Sequence, residues 1–308
     1  MSVVVLTGGV GGAKFVEGLV QVLGGSNVAA IVNTGDDFTH LGLRICPDLD
    51  SVMYMLSGKN DPARGWGVVG ESWNFMSALA EWTDETWFNL GDRDLALHVL
   101  RTAALESGES LTAFVHRMAD KAGIDAALLP MSESPVSTIL TTDIGILSFQ
   151  SYFVEHQCRP SVSKIRFDGA AEARPGRSVT SALAAPDLEA VFVAPSNPYL
   201  SIDPILAVPG MTEAISAAGV PVIAISPLIG GKAVKGPTAK LMAELGMECS
   251  NSTIASHYAG LIDGLLIDRS DDCEGLRVAR ENTLMRNADD RKRVAEAALR
   301  LARDEATT

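Results

Sequence analysis

The sequence predicts an α/β protein, a Rossmann-like parallel sheet core with a mainly helical insertion, and three observations carry that prediction. A β-branched run, Val3-Val4-Val5-Leu6, ends in a glycine loop, after which Phe15, Val16, Leu19, Val20 and Leu23 recur at helical spacing. A second apolar run, Val28 to Val32, closes at Asn33-Thr34-Gly35-Asp36-Asp37, and the unit has the length of a βαβ crossover. From Asp50 to about Lys121 the pattern turns helical, with candidate helices at Ser51–Leu56, Ser72–Trp82, Leu95–Leu105 and Leu111–Ala122.

Strand-like runs return at Ser137–Leu140, Ile144–Phe149, Ser163–Phe167, Ala190–Ala194 and Val220–Ile225, separated by loops and by helical stretches such as Met211–Ala218 and Thr238–Leu245. The tail from Ala288 to Ala306 is charged and reads as a terminal amphipathic helix. No repeat or low-complexity linker marks a boundary, so a single α/β domain over 1–308 is expected, with the insertion at approximately 50–125.

Composition narrows the class of function. Of 308 residues 47% are hydrophobic and 20% charged, the balance of a globular enzyme rather than a disordered or fibrous chain. A formal charge of -13 repels the phosphate backbone that dominates nucleic-acid affinity, which disfavours nucleic acid as a partner. Cys46, Cys158, Cys249 and Cys273 form no Cys-x-x-Cys pair and read as reduced thiols of a cytoplasmic protein. With no apolar stretch of membrane-spanning length and no export signal in the pattern, no membrane association is expected.

The motifs fall where chemistry is expected in such a fold. Gly8, Gly9, Gly11 and Gly12 between the first strand and helix let backbone amides approach a phosphate at the helix N-terminus, with Lys14 one step on. The loop matches neither the dinucleotide fingerprint nor a Walker loop, and a purely structural tight turn is its bland alternative. Asn33 to Asp37 sits at a predicted strand end and serves equally well as a binding loop or a helix cap. Pro47-Asp48-Leu49-Asp50 and Gly91-Asp92-Arg93-Asp94 precede helical patterns; their carboxylates suit a metal or a proton acceptor, and also capping. Pro195-Ser196-Asn197-Pro198 follows a strand, with a proline turn as the plain alternative. Of the five histidines His98 stands out, four residues after Asp94 on a shared helical face. The four tryptophans, Trp66, Trp73, Trp82 and Trp87, cluster in the insertion and read as core more readily than as a ligand platform.

Together, Thr7 to Lys14, Asn33 to Asp37, Pro47 to Tyr54, Leu90 to Asp94 with His98, Pro130 to Thr138, Pro195 to Pro198 and Gly236 to Met242 resemble the 2-phospho-L-lactate transferase family of coenzyme F-420 biosynthesis, over essentially the whole chain. The resemblance implies transfer of a 2-phospho acid from a guanosine diphospho-linked donor to the ribityl hydroxyl of 7,8-didemethyl-8-hydroxy-5-deazariboflavin, releasing GMP, with Mg2+ required and a homodimer as the assembly. The loop form Gly-Gly-Val-Gly-Gly-Ala-Lys is that of bacterial members, which leaves lactyl, enolpyruvyl and glyceryl donors open.

By the same resemblance Asp50 and Arg93 are the catalytic candidates, and Asp50, Arg93 and His98 take the acceptor. Gly8, Gly9, Gly11, Gly12, Lys14, Asn33, Ser196 and Asn197 hold the nucleotide and its phosphates, and Asp37, Asp50 and Asp92 are the metal candidates. The alternative is a non-enzymatic nucleotide-sugar-binding regulator of the gluconeogenesis-factor type, which has no need of the acceptor half of the site. An NAD-dependent oxidoreductase lacks support beyond the strand, glycine loop and helix.

Overall fold

The computed structural model describes residues 2–234 and 236–304. In chain order, β1 (Ser2–Thr7), α1 (Gly9–Leu23) and β2 (Val28–Val32) form the opening βαβ unit. A hairpin of β3 (Phe38–His40) and β4 (Leu43–Ile45) leads to four helices, α2 (Pro47–Leu56), α3 (Asn74–Leu79), α4 (Asp94–Glu106) and α5 (Leu111–Lys121). After β5 (Ala127–Pro130) come β6 (Ser137–Thr142), β7 (Gly145–Ser148) and β8 (Val162–Asp168), then α6 (Arg177–Leu183) and β9 (Leu188–Val193). The last third holds α7 (Asp203–Leu206), α8 (Met211–Ala217), β10 (Val222–Ile225), the small hairpin β11 (Leu228–Ile229) and β12 (Lys232–Ala233), α9 (Thr238–Glu244), α10 (Asn251–His257), β13 (Gly264–Asp268), β14 (Arg277–Glu281) and α11 (Ala288–Ala302).

Seven of these strands pair in parallel in the order β14-β13-β10-β9-β1-β2-β5. The chain winds outward from β1 through β2 to β5, returns to β9 on the other side of β1, and winds outward again. This doubly wound order puts the topological switch between β1 and β9, where ligands bind in open α/β sheets. Strand period explains the two cores: Val3 and Val5 face α1, α5 and α11, while Val4 and Leu6 face the layer built on α6 to α10. Phe15 of α1 meets Phe192 of β9 edge to face at 5.8 Å, a pairing worth about 0.5–1.5 kcal/mol beyond the area it buries.

The helix candidates of the insertion match α2 to α5 within a few residues. The strand-like runs at Ser137–Leu140, Ile144–Phe149 and Ser163–Phe167 form strands, but outside the main sheet: they make a separate antiparallel sheet in the order β7-β6-β8. β6 alternates half-buried and buried residues along its length, the period of a sheet wet on one face, whereas a central parallel strand such as β10 is buried throughout. The tryptophans also depart from expectation. Trp66 and Trp82 are exposed, and Trp73 and Trp87 are half-buried, because the insertion is too thin to enclose them. All four cysteines are free, and no helix of the described residues is long and apolar enough to cross a membrane.

Candidate active site

The switch point is assembled by close approach. Ser196, past the end of β9, donates its hydroxyl to the Gly8 carbonyl at 2.7 Å and accepts the Gly8 amide at 3.3 Å. A Cβ on Gly11 would lie 2.8 Å from the Pro195 carbonyl, and one on Gly12 would lie 2.1 Å from Thr7 Oγ1 and 2.7 Å from Ser196 Oγ. Gly9 takes φ +64, the left-handed region that glycine enters without strain. The glycines are therefore required by packing and backbone geometry, and the same compactness leaves the N-terminus of a 15-residue helix open toward the sheet's carboxyl edge.

An anionic side chain already sits there. Asp48, in the first turn of α2, accepts the Gly9 amide through Oδ1 at 2.7 Å and the Asn33 side-chain amide through Oδ2 at 3.0 Å. Asn33 turns back through its own oxygen to the Gly35 amide at 2.7 Å, which fixes the loop holding Asp36 and Asp37. Asn197 Oδ1 accepts from the amides of Tyr199 and Leu200, and its buried Nδ2 has no partner among the described residues. Gly8 to Gly12, Asn33, Ser196 and Asn197 thus lie together at the ends of β1, β2 and β9. Lys14 does not: it reaches away, donating to the Met285 carbonyl at 2.8 Å beside a cleft lined by Tyr54, Asn60, Trp66 and Arg291.

Next to the glycine loop lie four buried carboxylates, Asp36, Asp37, Asp48 and Asp50. Burial pushes all four up, Asp37 to about 7 and Asp48 to about 6; for Asp36 the nearby Asp48 and Asp37 charges push further. Two cations answer them. Arg44 lies 3.5 Å from Asp37, and the fully buried Arg101 guanidinium pairs with Asp50 Oδ1 while donating to the Arg44 carbonyl at 3.1 Å. Asp36 Oδ1, Asp37 Oδ1 and Asp50 Oδ2 are buried without a hydrogen-bond partner among the described residues. Unpartnered buried carboxylate oxygens are costly unless a cation or a donor completes them.

Helix α4 supplies the other wall. His98 lies with Nδ1 3.7 Å from Asp50 Oδ2 and Nε2 3.4 Å from Asp94 Oδ2, and Tyr54 of α2 donates its hydroxyl to Asp94 Oδ1. Burial opposes the Asp94 charge, yet the bonds from His98 and Tyr54 hold its carboxyl below the usual range. One ligand atom each from Asp50, Asp94 and His98 lie within 4.8 Å of one another, a separation that one metal ion can bridge. Arg93, by contrast, is exposed at the N-terminus of α4 near Gly70, outside this cluster. Asp92 is taken up structurally: its two oxygens accept from Ser72 Oγ, both nitrogens of Asn74 and the Phe75 amide, capping α3 and holding the carboxyl down at about 2.

Sequence reasoning did not single out Arg101 and Tyr54. Both were accessible in principle, because Asp94, His98 and Arg101 follow i, i+4, i+7 spacing on one face of α4, and Tyr54 stands four residues after Asp50.

Comparison with known proteins gives a consistent result. Residues 3–306 match the family described as 2-phospho-L-lactate transferase CofD. A phosphoenolpyruvate transferase of Streptomyces avermitilis is 38% identical, with 99% of each chain covered, and one of Nocardia farcinica is 37% identical over 97% of this chain and 94% of that one. Among solved structures, protein BH3568 of Bacillus halodurans superposes with a TM-score of 0.64 at 17% identity over 97% of this chain and 99% of that one, a likeness of fold alone. A crystal structure described as a member of the UPF0052 family, also BH3568, gives 0.63 at 18% identity. By the extent of the family match and the identity to its curated relatives, this chain belongs to the 2-phospho-L-lactate transferase CofD family.

Proposed function

We propose that this protein moves a phosphorylated three-carbon acid from a guanosine diphospho-linked donor to the ribityl hydroxyl of 7,8-didemethyl-8-hydroxy-5-deazariboflavin in coenzyme F-420 biosynthesis, releasing GMP. Family membership supports a phosphotransferase, and the names of the relatives at 35–38% identity favour an enolpyruvyl over a lactyl unit. The observation that carries the reading is the position of α2, whose Asp48 bonds the glycine loop while Asp50, two residues on, faces His98 and Arg101 of the insertion. One helix turn thereby joins the nucleotide side to the acceptor side. A nucleotide-binding regulator has no use for that second half.

In this reading the donor lies across the N-terminus of α1, its phosphates taken by first-turn amides and its base side by Ser196 and the spare Asn197 Nδ2. The acceptor enters from the insertion, with Arg93 at the rim. Its hydroxyl oxygen forms a bond to the distal phosphorus, the bond from that phosphorus to the GMP oxygen breaks, and the hydroxyl proton passes to Asp50 Oδ2. Arg101 holds the other Asp50 oxygen, so Oδ2 is oriented rather than free to rotate.

The residues fit Mg2+. An ion held by one or two carboxylates together with the donor's phosphates would draw on Asp94, which with Asp50 and His98 brings ligand atoms within 4.8 Å of one another, and on the buried, unpartnered Oδ1 of Asp36 or Asp37, leaving Asp50 Oδ2 as the proton acceptor. Bound there, the ion would neutralise charge on the donor's diphosphate. The test is product mass: incubation with deazaflavin and GDP-linked enolpyruvyl or lactyl donors in Mg2+ is expected to give the acceptor joined to the phosphorylated acid, together with GMP, and faster with the enolpyruvyl donor. Absence of any joined product with either donor would contradict the assignment.

A further inference from the structure

A three-carbon acid brings its own negative charge into a site walled by carboxylates. Lactyl or enolpyruvyl, the unit carries a carboxylate beside the carbon that bears the phosphate, and Asp36, Asp37, Asp48 and Asp50 are all buried where it must lie. Like charges brought together out of water repel strongly, so the unit's carboxylate needs a cation of its own. Reach limits where that cation can stand. Four bonds separate the distal phosphorus from a carboxylate oxygen, about 5 Å at the ~1.2 Å per bond of an extended chain.

Of the cations around the site, three are placed for other work. Lys14 donates to the Met285 carbonyl beside a separate cleft. Arg93 is exposed at the start of α4, outside the carboxylate cluster. Arg101 is fully buried and divides its guanidinium between Asp50 and the Arg44 carbonyl. Arg44, on β4, is differently situated. Its amide donates to Thr102 Oγ1 at 2.8 Å and its carbonyl accepts from Arg101 at 3.1 Å, so its backbone is fixed one guanidinium's width from Asp50. Its side chain is 27% exposed and makes one long contact, from Nη2 to Asp37 Oδ2 at 3.5 Å. Among the described residues no other acceptor meets that guanidinium, so most of its five N–H donors are unspent. A guanidinium fork matches a carboxylate through two parallel N–H···O bonds, a geometry that a lysine ammonium lacks.

We propose that Arg44 is a specificity-determining residue of the transfer, its guanidinium taking the carboxylate of the three-carbon acid. The inference rests on the transferase reading above and holds for either acid. With its carboxylate held at Arg44, the unit presents its phosphorus toward Asp50 Oδ2, so a donor lacking the carboxylate loses orientation as well as affinity.

The test compares kcat/KM for two GDP-linked donors, the acid that the wild type turns over faster and the same donor with a carboxamide in place of the carboxylate. Both are given to the wild type, Arg44→Lys and Arg44→Gln, each shown to be folded by its melting curve. The wild type is expected to prefer the acid at least about thirtyfold, Arg44→Gln to lose that preference, and Arg44→Lys to fall between. Affinity for GDP, which has no carboxylate, should stay within about twofold throughout, a result that general damage to the site would not give. Arg44→Lys keeps a cation beside Asp37 and decides the matter if Arg44→Gln fails to fold. Product formed equally well from both donors by the wild type, or a preference unchanged in the folded variants, would overturn the inference alone; no product from either donor would overturn the transferase reading and the inference with it.

Discussion

Arg101 shows how much of the site depends on one fully buried side chain. It is fully buried, pairs with Asp50, donates to the Arg44 carbonyl and lies over the Phe114 ring at 5.7 Å. Replacing it by methionine keeps the volume and removes the charge, leaving Asp50 buried and unpaired. Removing one partner of such a pair costs about 3–5 kcal/mol, far more than a surface ion pair is worth. Arg101→Met is therefore expected to lower the free energy of unfolding by that order, with Arg101→Lys intermediate, as urea unfolding followed by circular dichroism would show. At this scale the sequence was informative but incomplete. Asn33 and Ser196 could be found because they sit at predicted strand ends, Asp50 because it belongs to an acidic cluster before a helical pattern, and His98 because it follows Asp94 by one turn, whereas Arg101 sits mid-helix, where an arginine ordinarily means a solvated face.

Among the elements, α1 binds the molecule together, with β1 behind it, α2 on one side and α11 on the other. Its contact with α11 is so close that a Cβ on Gly18 would lie 2.3 Å from the Arg291 carbonyl. In an exposed helix, Gly→Ala stabilises by about 1 kcal/mol through propensity; here the clash with backbone, at about 1–3 kcal/mol, reverses the sign. Gly18→Ala is thus predicted to destabilise, and a raised melting temperature in that variant would show that α11 gives way more readily than its packing implies. The helices of the insertion were legible because apolar spacing survives without tertiary context. The strands β13 and β14 escaped notice because β13 offers only Leu265, Leu266 and Ile267 as an apolar run between Gly264 and Asp268, and β14, Arg277–Glu281, is an edge strand with charges along it. The assignment of β6 to β8 to a second sheet also lay beyond the sequence, since pairing partners are set by the chain's path and not by the local pattern.

For the molecule as a whole, the doubly wound sheet explains why residues scattered from Gly8 to Asn197 meet at one place: the winding reverses between β1 and β9, and the loops leaving those two strands come together at the sheet's carboxyl edge, Ser196 against Gly8. The insertion between β2 and β5 then lies against one side of those loops, so α2 faces the glycine loop and α4 at once. The role proposed for Asp50, at the join of nucleotide side and acceptor side, is open to titration of the fluorescent deazaflavin acceptor into the wild type and into Asp50→Asn, each with GDP and Mg2+, and each first shown to be folded by its melting curve. Saturable binding to the wild type is expected, weakened at least about tenfold in the variant, a loss of about 1.4 kcal/mol or more. Equal affinity in the two proteins would place the acceptor away from Asp50, and no binding to the wild type would contradict the transferase reading.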